Sequence, residues 1–287
     1  MRAISPYVLH QIARFGFLTI RELLELTEGK CGRSELYESL RAMIRSKLIA
    51  RLTYSNTDSP VYQATEIGVV ATLGETSDHP RAARSADVIH SLRVAQTLIA
   101  LSRYEFITGF GTEFEIPLET WREFAHSKVP DGLVQVSRGE LNFELAVEVE
   151  VTPKSRSRSQ EFVNKYQDAF TKGALCSGVI LVCDEPDIFD RYRSLLQGKG
   201  ESLTSRFLVL QGPGLPPLNS RLYGESGKSP GFCADQRRTS FGDEIKYLPV
   251  KSRSPEFLAT RLPPEKDPLS GKQNFKENLQ PITSPGT

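Results

Sequence analysis

The run NFELAVEVEV, residues 142–151, constrains the fold more than any other stretch, because apolar and acidic side chains alternate along it with the period of a β-strand. Phe143, Leu145, Val147, Val149 and Val151 fall on one face, and Glu144, Ala146, Glu148 and Glu150 on the other. The apolar face requires a core. The other face carries carboxylates spaced about 7 Å apart along the strand, which repel one another unless they are solvated, paired with cations or bound to a metal. The pattern alone leaves those three outcomes open.

What surrounds this strand sets the fold class. Before it come a helical segment, SADVIHSLRVAQTLIALSR from Ser85, and three strand-like runs, YEFITGF, TEFEIP and DGLVQV. After it come a helix, SRSQEFVNKYQDAFTK, the all-apolar run GVILVC, a helix, PDIFDRYRSLLQ, and a last strand, RFLVLQ. Phe162, Val163, Tyr166, Ala169 and Phe170 make one apolar stripe on the first of these helices, which is expected to cover a sheet face. GVILVC suits a strand buried on both faces. The class is α/β (α+β), a mixed sheet flanked by helices.

The first eighty residues read differently. SPYVLHQIARFGFLTIRELLEL predicts two helices, with Phe17 and Leu18 crossing a turn and Thr19 capping the second. GRSELYESLRAMIRSKLI predicts a third, capped by Ser34, with Leu36, Leu40, Met43 and Ile44 as its apolar stripe. Two short strands around SNTDS and a helix from about Thr65 follow. Three helices and a hairpin make the order of a winged helix-turn-helix, whose third helix lies in the DNA major groove. Here that helix offers Arg33, Ser34, Tyr37, Arg41 and Arg45, with Lys47 and Arg51 leading into the wing. Residues 1–80 carry 9 basic and 9 acidic side chains, so a docking role for protein partners stands beside DNA contact.

Composition adds boundaries. Of the 18 prolines, 11 lie from Pro213 onward, among Ser, Gly, Lys and Arg, and such a stretch cannot offset its ordering entropy by burial. The expected division is 1–80, 85–223 and a disordered tail over 224–287, through which protein partners could be recruited. A net charge of +1 argues against a polycation but leaves local basic surfaces open. No run approaches the ~20 apolar residues of a membrane span, and the N-terminus lacks a signal-peptide pattern, so a cytoplasmic location without membrane contact is expected. Cys31, Cys176, Cys183 and Cys233 form no C-x-x-C pair and read as reduced and incidental.

A helix, a meander of strands with Pro130-Asp131 leading one and Glu148-x-Glu150 on the next, and a crossover helix and strand together resemble the PD-(D/E)XK restriction-endonuclease-like fold. With an N-terminal winged helix followed by IHSLRVAQTL, VPDGLV and VEVEVTPKS, the chain is similar in particular to the replication-relaxation proteins of plasmids and other mobile elements. That resemblance implies double-stranded DNA as partner and a role in replication, relaxation or transfer. It also implies that Asp131 and Glu148 hold Mg²⁺ or Mn²⁺, which takes hard oxygen ligands, beside a phosphate. In the nuclease motif a lysine stands two residues after the acid; this chain has Glu150 there, leaving Lys154 or Lys165 to supply the cation and Glu113 or Glu115 a further carboxylate. The rival readings are a Mg²⁺-dependent DNA endonuclease and a non-catalytic adaptor. If the acids form a metal pair, removing Asp131 and Glu148 together is expected to raise stability in metal-free buffer.

Overall fold

The computed structural model describes residues 4–55, 57, 59–73, 85–116, 129–138, 141–173 and 176–212. The expected tail, residues 224–287, lies outside them, as do Trp121, His79, His126 and Cys233.

In the first part, helix α1 (Ser5–Phe15), strand β1 (Phe17–Thr19) and helices α2 (Ile20–Leu26) and α3 (Arg33–Arg45) precede a hairpin of β2 (Ile49–Leu52) and β3 (Val61–Ala64), and α4 (Glu66–Leu73) follows. The strands form an antiparallel sheet in the order β1-β3-β2. Phe17 and Leu18 therefore build a strand rather than the expected turn. Both are buried between two helices, where their backbone groups need partners, and β3 supplies them. Thr19 caps α2 as expected: its hydroxyl accepts from the Arg21 N–H at 3.2 Å, and its own N–H donates to the Glu22 carboxylate at 2.9 Å. Helix α3 starts two residues earlier than expected, with Gly32 as its cap, so Ser34 sits inside the first turn.

The end of α3 is unusual. Leu48 N–H donates to Met43 O at 3.0 Å and Lys47 N–H to Ile44 O at 3.0 Å, the paired bonds of a Schellman stop. The residue in the left-handed position of that stop is Lys47, with φ of 57°, where glycine would carry no Cβ penalty. The Thr65 hydroxyl donates to the Lys47 carbonyl at 2.7 Å and holds the turn. Lys47→Gly is accordingly expected to stabilise the fold by about 1 kcal/mol, read by chemical denaturation. An unchanged or lower midpoint would show that the lysine is not strained.

The second part begins with α5 (Ser85–Leu101) and continues through β4 (Ile107–Thr112), β5 (Gly132–Arg138), β6 (Leu141–Glu150), α6 (Arg156–Thr171), β7 (Gly178–Cys183), α7 (Pro186–Gln197), the short α8 (Glu201–Thr204) and β8 (Phe207–Gln211). The sheet order is β4-β5-β6-β7-β8, antiparallel from β4 to β6 and parallel from β6 to β8. This is the mixed sheet flanked by helices that the sequence implies. One expected strand, TEFEIP, is absent: Thr112 ends β4 and Glu113–Glu115 turn away. The Glu115 carboxylate closes that turn by accepting from Thr112 N–H at 2.9 Å, and it pairs with Arg14 of α1 at 2.9 Å.

Helices cover both faces of the sheet. Phe143, Leu145, Val147 and Val149 of β6 pack with Leu98 and Ile99 of α5 in one cluster that continues into Val8, Ile12, Leu36 and Leu40 of the first part. The expected units 1–80 and 85–223 thus share a core. Ala146 of β6 packs on the opposite side with Val163, Tyr166 and Phe170 of α6 and Ile188 and Tyr192 of α7. Polar bonds cross the same junction: Gln96 Nε2 donates to Glu22 Oε1 at 2.9 Å, Arg93 Nη1 donates to Gln96 Oε1 at 3.1 Å, and Arg93 also pairs with Asp184 at the end of β7.

Candidate functional site

Strand β6 brings its acids under α6 rather than into solvent. Glu148 and Glu150 are 5% and 3% exposed, while Glu144 is half-buried. Buried carboxylates need donors, and each finds one. Glu148 Oε1 accepts from the Tyr166 hydroxyl at 2.7 Å. Glu150 pairs with Lys154, four residues on, where the chain leaves the strand. The row is thus hydrogen-bonded and cation-paired, one of the outcomes left open by the alternation.

Asp131 lies beside the same strand and is 1% exposed. Gly132 pairs with Val147, so the next two-residue step of the ladder would set Pro130 opposite Val149. Strand β5 has not yet begun there, and the Asp131 side chain takes over: its Oδ2 accepts from the Val149 N–H at 2.9 Å. His90 of α5 completes the arrangement, its Nε2 lying 3.2 Å from Asp131 Oδ2 and 3.1 Å from the Val149 carbonyl oxygen. Both neighbours are acceptors, so Nε2 carries the proton.

Burial and the nearby Glu148 charge hold the Tyr166 hydroxyl well above its usual range, so it remains a donor. Burial also pushes the Cys176 and Cys183 thiols up to about 12, which leaves both protonated and unsuited to nucleophilic work.

The proposed ligand set for a divalent ion can be tested on this arrangement. Among the described residues no three His, Cys, Asp or Glu side chains group so as to hold a metal. Asp131 Oδ2 already has two neighbours, Glu148 Oε1 serves Tyr166, and Glu150 is neutralised by Lys154. As placed, these residues do not fit Mg²⁺ or Mn²⁺. Lys165 does not reach the row: its amine pairs with Glu161 on its own helix at 2.9 Å, and it is half exposed. Glu115 belongs to the Arg14 turn instead.

The second group of expected residues lies on α3. Arg33, Ser34, Arg41 and Arg45 are exposed and Tyr37 is half-buried; Ser34, Arg41 and Arg45 lie on the arc opposite the buried Leu36, Ser39, Leu40 and Met43, whereas Arg33 and Tyr37 flank that stripe on the Leu40 side. Lys47 and Arg51 are exposed just beyond the helix. The Arg33 guanidinium lies 5.8 Å from the Tyr37 ring centre.

Sequence reading missed two participants. Tyr166 counts in the pattern only as a member of an apolar stripe, although a buried tyrosine carries a hydroxyl that must find a partner. Arg191 of α7, which donates to the Lys154 carbonyl oxygen, has no local signal at all, since its partner comes from a distant loop.

A small helical module with a three-stranded sheet, packed on a five-stranded mixed sheet with a buried acid row, defines a two-part mixed α/β protein. The chain belongs to the replication-relaxation family, whose sequence profile matches residues 9–182. No curated protein matches it. Among solved structures, the restriction endonuclease FokI is similar at 11% identity and a TM-score of 0.24, over 72% of this chain and 41% of FokI, a likeness too slight to bear on the fold. This chain thus spans less than half the length of that enzyme. No helix among the described residues is long and apolar enough to cross a membrane.

Proposed function

We propose that this protein binds duplex DNA through the α3 face of a winged helix, in the service of replication or relaxation of a plasmid or other mobile element. The observation that carries the reading is the pair Arg41 and Arg45 opposite the buried stripe of α3, with exposed Arg33 at the helix start and Lys47 and Arg51 beyond its end. Cations projecting from the third helix of such a module can reach groove and phosphates together. Lys47, in the left-handed position, is exposed at the turn between α3 and β2, where it extends the same cationic surface. Family membership supports the setting. The second part is read as a scaffold without cleavage chemistry, because its acids are taken up by Tyr166, Lys154 and the Val149 N–H.

The test is binding of the full chain to duplex DNA across a salt series. Arg41→Ala with Arg45→Ala is expected to lower the slope of log K against log salt by about two units, and affinity at low salt by roughly tenfold or more. Both residues are exposed, so the melting transition should stay put. Affinity and slope that survive the double substitution would remove α3 from the interface. No affinity for DNA in the parent chain would leave the adaptor reading in its place.

A further inference from the structure

A cleft of about 630 Å³ opens beyond Glu150, between the loop that leads into α6 and the side of α7. Its wall contains Lys154, Ser155, Arg156, Arg191 and Ser194, and no carboxylate lines it. The charge of Lys154 is balanced by the buried Glu150, so the cationic character of the cleft rests on Arg156 and Arg191. Two of the cations are held in place from behind. Lys154 pairs with the buried Glu150, and the Arg191 guanidinium donates to the Lys154 carbonyl oxygen. That bond uses part of a five-donor fork and leaves other N–H groups for a ligand. Arg156 is exposed where it lines the cleft mouth.

We infer that this cleft binds a phosphate group. The donor set is the kind that recognises phosphate: a forked guanidinium, a second arginine and hydroxyls, beside an ammonium that also serves Glu150. Its place on the body of the molecule, away from α3, makes it a second anchor for nucleic acid backbone, and only this source of the phosphate rests on the DNA-binding reading. The lysine at the strand end thereby has a role that does not involve a metal: it bridges the buried acid and the cleft wall.

Two measurements on the full chain test the inference. In the first, inorganic phosphate is titrated while the backbone amide signals of Ser155 and Arg156 are followed by NMR, with chloride at equal ionic strength as control. Saturable shifts at millimolar phosphate, lost in Arg191→Ala and reduced in Arg156→Ala, are expected; shifts matched by chloride would overturn the site. In the second, the salt slope of duplex DNA binding is expected to fall by about one unit in Arg156→Ala and about two when Arg191→Ala is added. Arg156 is exposed, so its variant tests the site even if loss of the Arg191 bond to Lys154 impairs folding. Phosphate shifts with an unchanged DNA slope would assign the cleft to a free phosphate compound and overturn the backbone anchor. A slope lowered by Arg156→Ala but not by the α3 variants would uphold the cleft and sink the α3 interface. Phosphate binding with no DNA affinity at all would sink the proposed function alone.

Discussion

Asp131→Ala is expected to lower folding stability by about 3 kcal/mol in metal-free buffer. The substitution strands two groups at once. The Val149 N–H, buried in the sheet, loses the acceptor that stands in for the next bond of the β5–β6 ladder, and His90 Nε2 loses one of its two acceptors. A buried donor left without a partner costs about 1–3 kcal/mol, more when a charged acceptor is lost. Asp131→Asn, which keeps one carbonyl oxygen, should cost less, about 1 kcal/mol. The opposite sign follows if Asp131 and Glu148 are a repelling pair that waits for a cation, because removing either charge would then stabilise the chain. Urea denaturation in the presence of a chelator separates the two. A stabilised Asp131→Ala would overturn the capping role and restore the metal pair.

The same residues show how far the sequence is legible. The alternation in 142–151 correctly separates an apolar face from an acidic one, because side-chain direction in a strand is a local property. What covers the acidic face is decided by α6, which begins six residues after the strand, and by which of its side chains carries a hydroxyl inward. Tyr166 supplies that group from a position that hydrophobic periodicity assigns to packing alone. Lys154 and Lys165 look equivalent in the sequence as substitutes for the motif lysine. Their positions separate them: Lys154 lies at the strand end with Glu150 within reach, whereas Lys165 lies on the exposed side of α6 beside Glu161.

Short elements are the least legible in the sequence, and for a common reason. Phe17–Thr19 is a strand of three residues whose partner, β3, lies more than forty positions away. TEFEIP has strand-like alternation, yet Arg14 from α1 holds Glu115 in a turn. In both places a distant partner overrides a local pattern. Capping of α2 by Thr19 was legible because all the atoms involved lie within four residues.

The packing explains why Gly68 stands in the Thr65-Glu66-Ile67-Gly68 start of α4. Gly68→Ala is expected to cost about 3 kcal/mol and to weaken DNA binding as well. A Cβ on Gly68 would stand 2.1 Å from the Leu48 carbonyl oxygen and 3.3 Å from Leu9 Cδ1. The carbonyl cannot swing aside cheaply, since it accepts from Thr65 N–H at 2.9 Å and from the Thr65 hydroxyl at 3.1 Å. Moving α4 away instead would break those bonds and lift the helix from α1. Overpacking against fixed backbone sits near the top of the usual range of about 1–3 kcal/mol, and lost Thr65 bonds add about 1. The better helix propensity of alanine returns up to about 1 kcal/mol. For a chain of this size the melting midpoint should fall by roughly 6–12 °C. Ile67→Ala, at the exposed neighbouring position, should stay within about 0.5 kcal/mol of the parent. The effect on DNA follows from Thr65, whose hydroxyl also holds the Lys47 carbonyl: a displaced α4 releases the turn that aims Lys47 and the end of α3. Gly68→Ala with parental stability would show that the α3–β2 turn yields freely, and with it would go the idea that this glycine fixes the DNA-binding face.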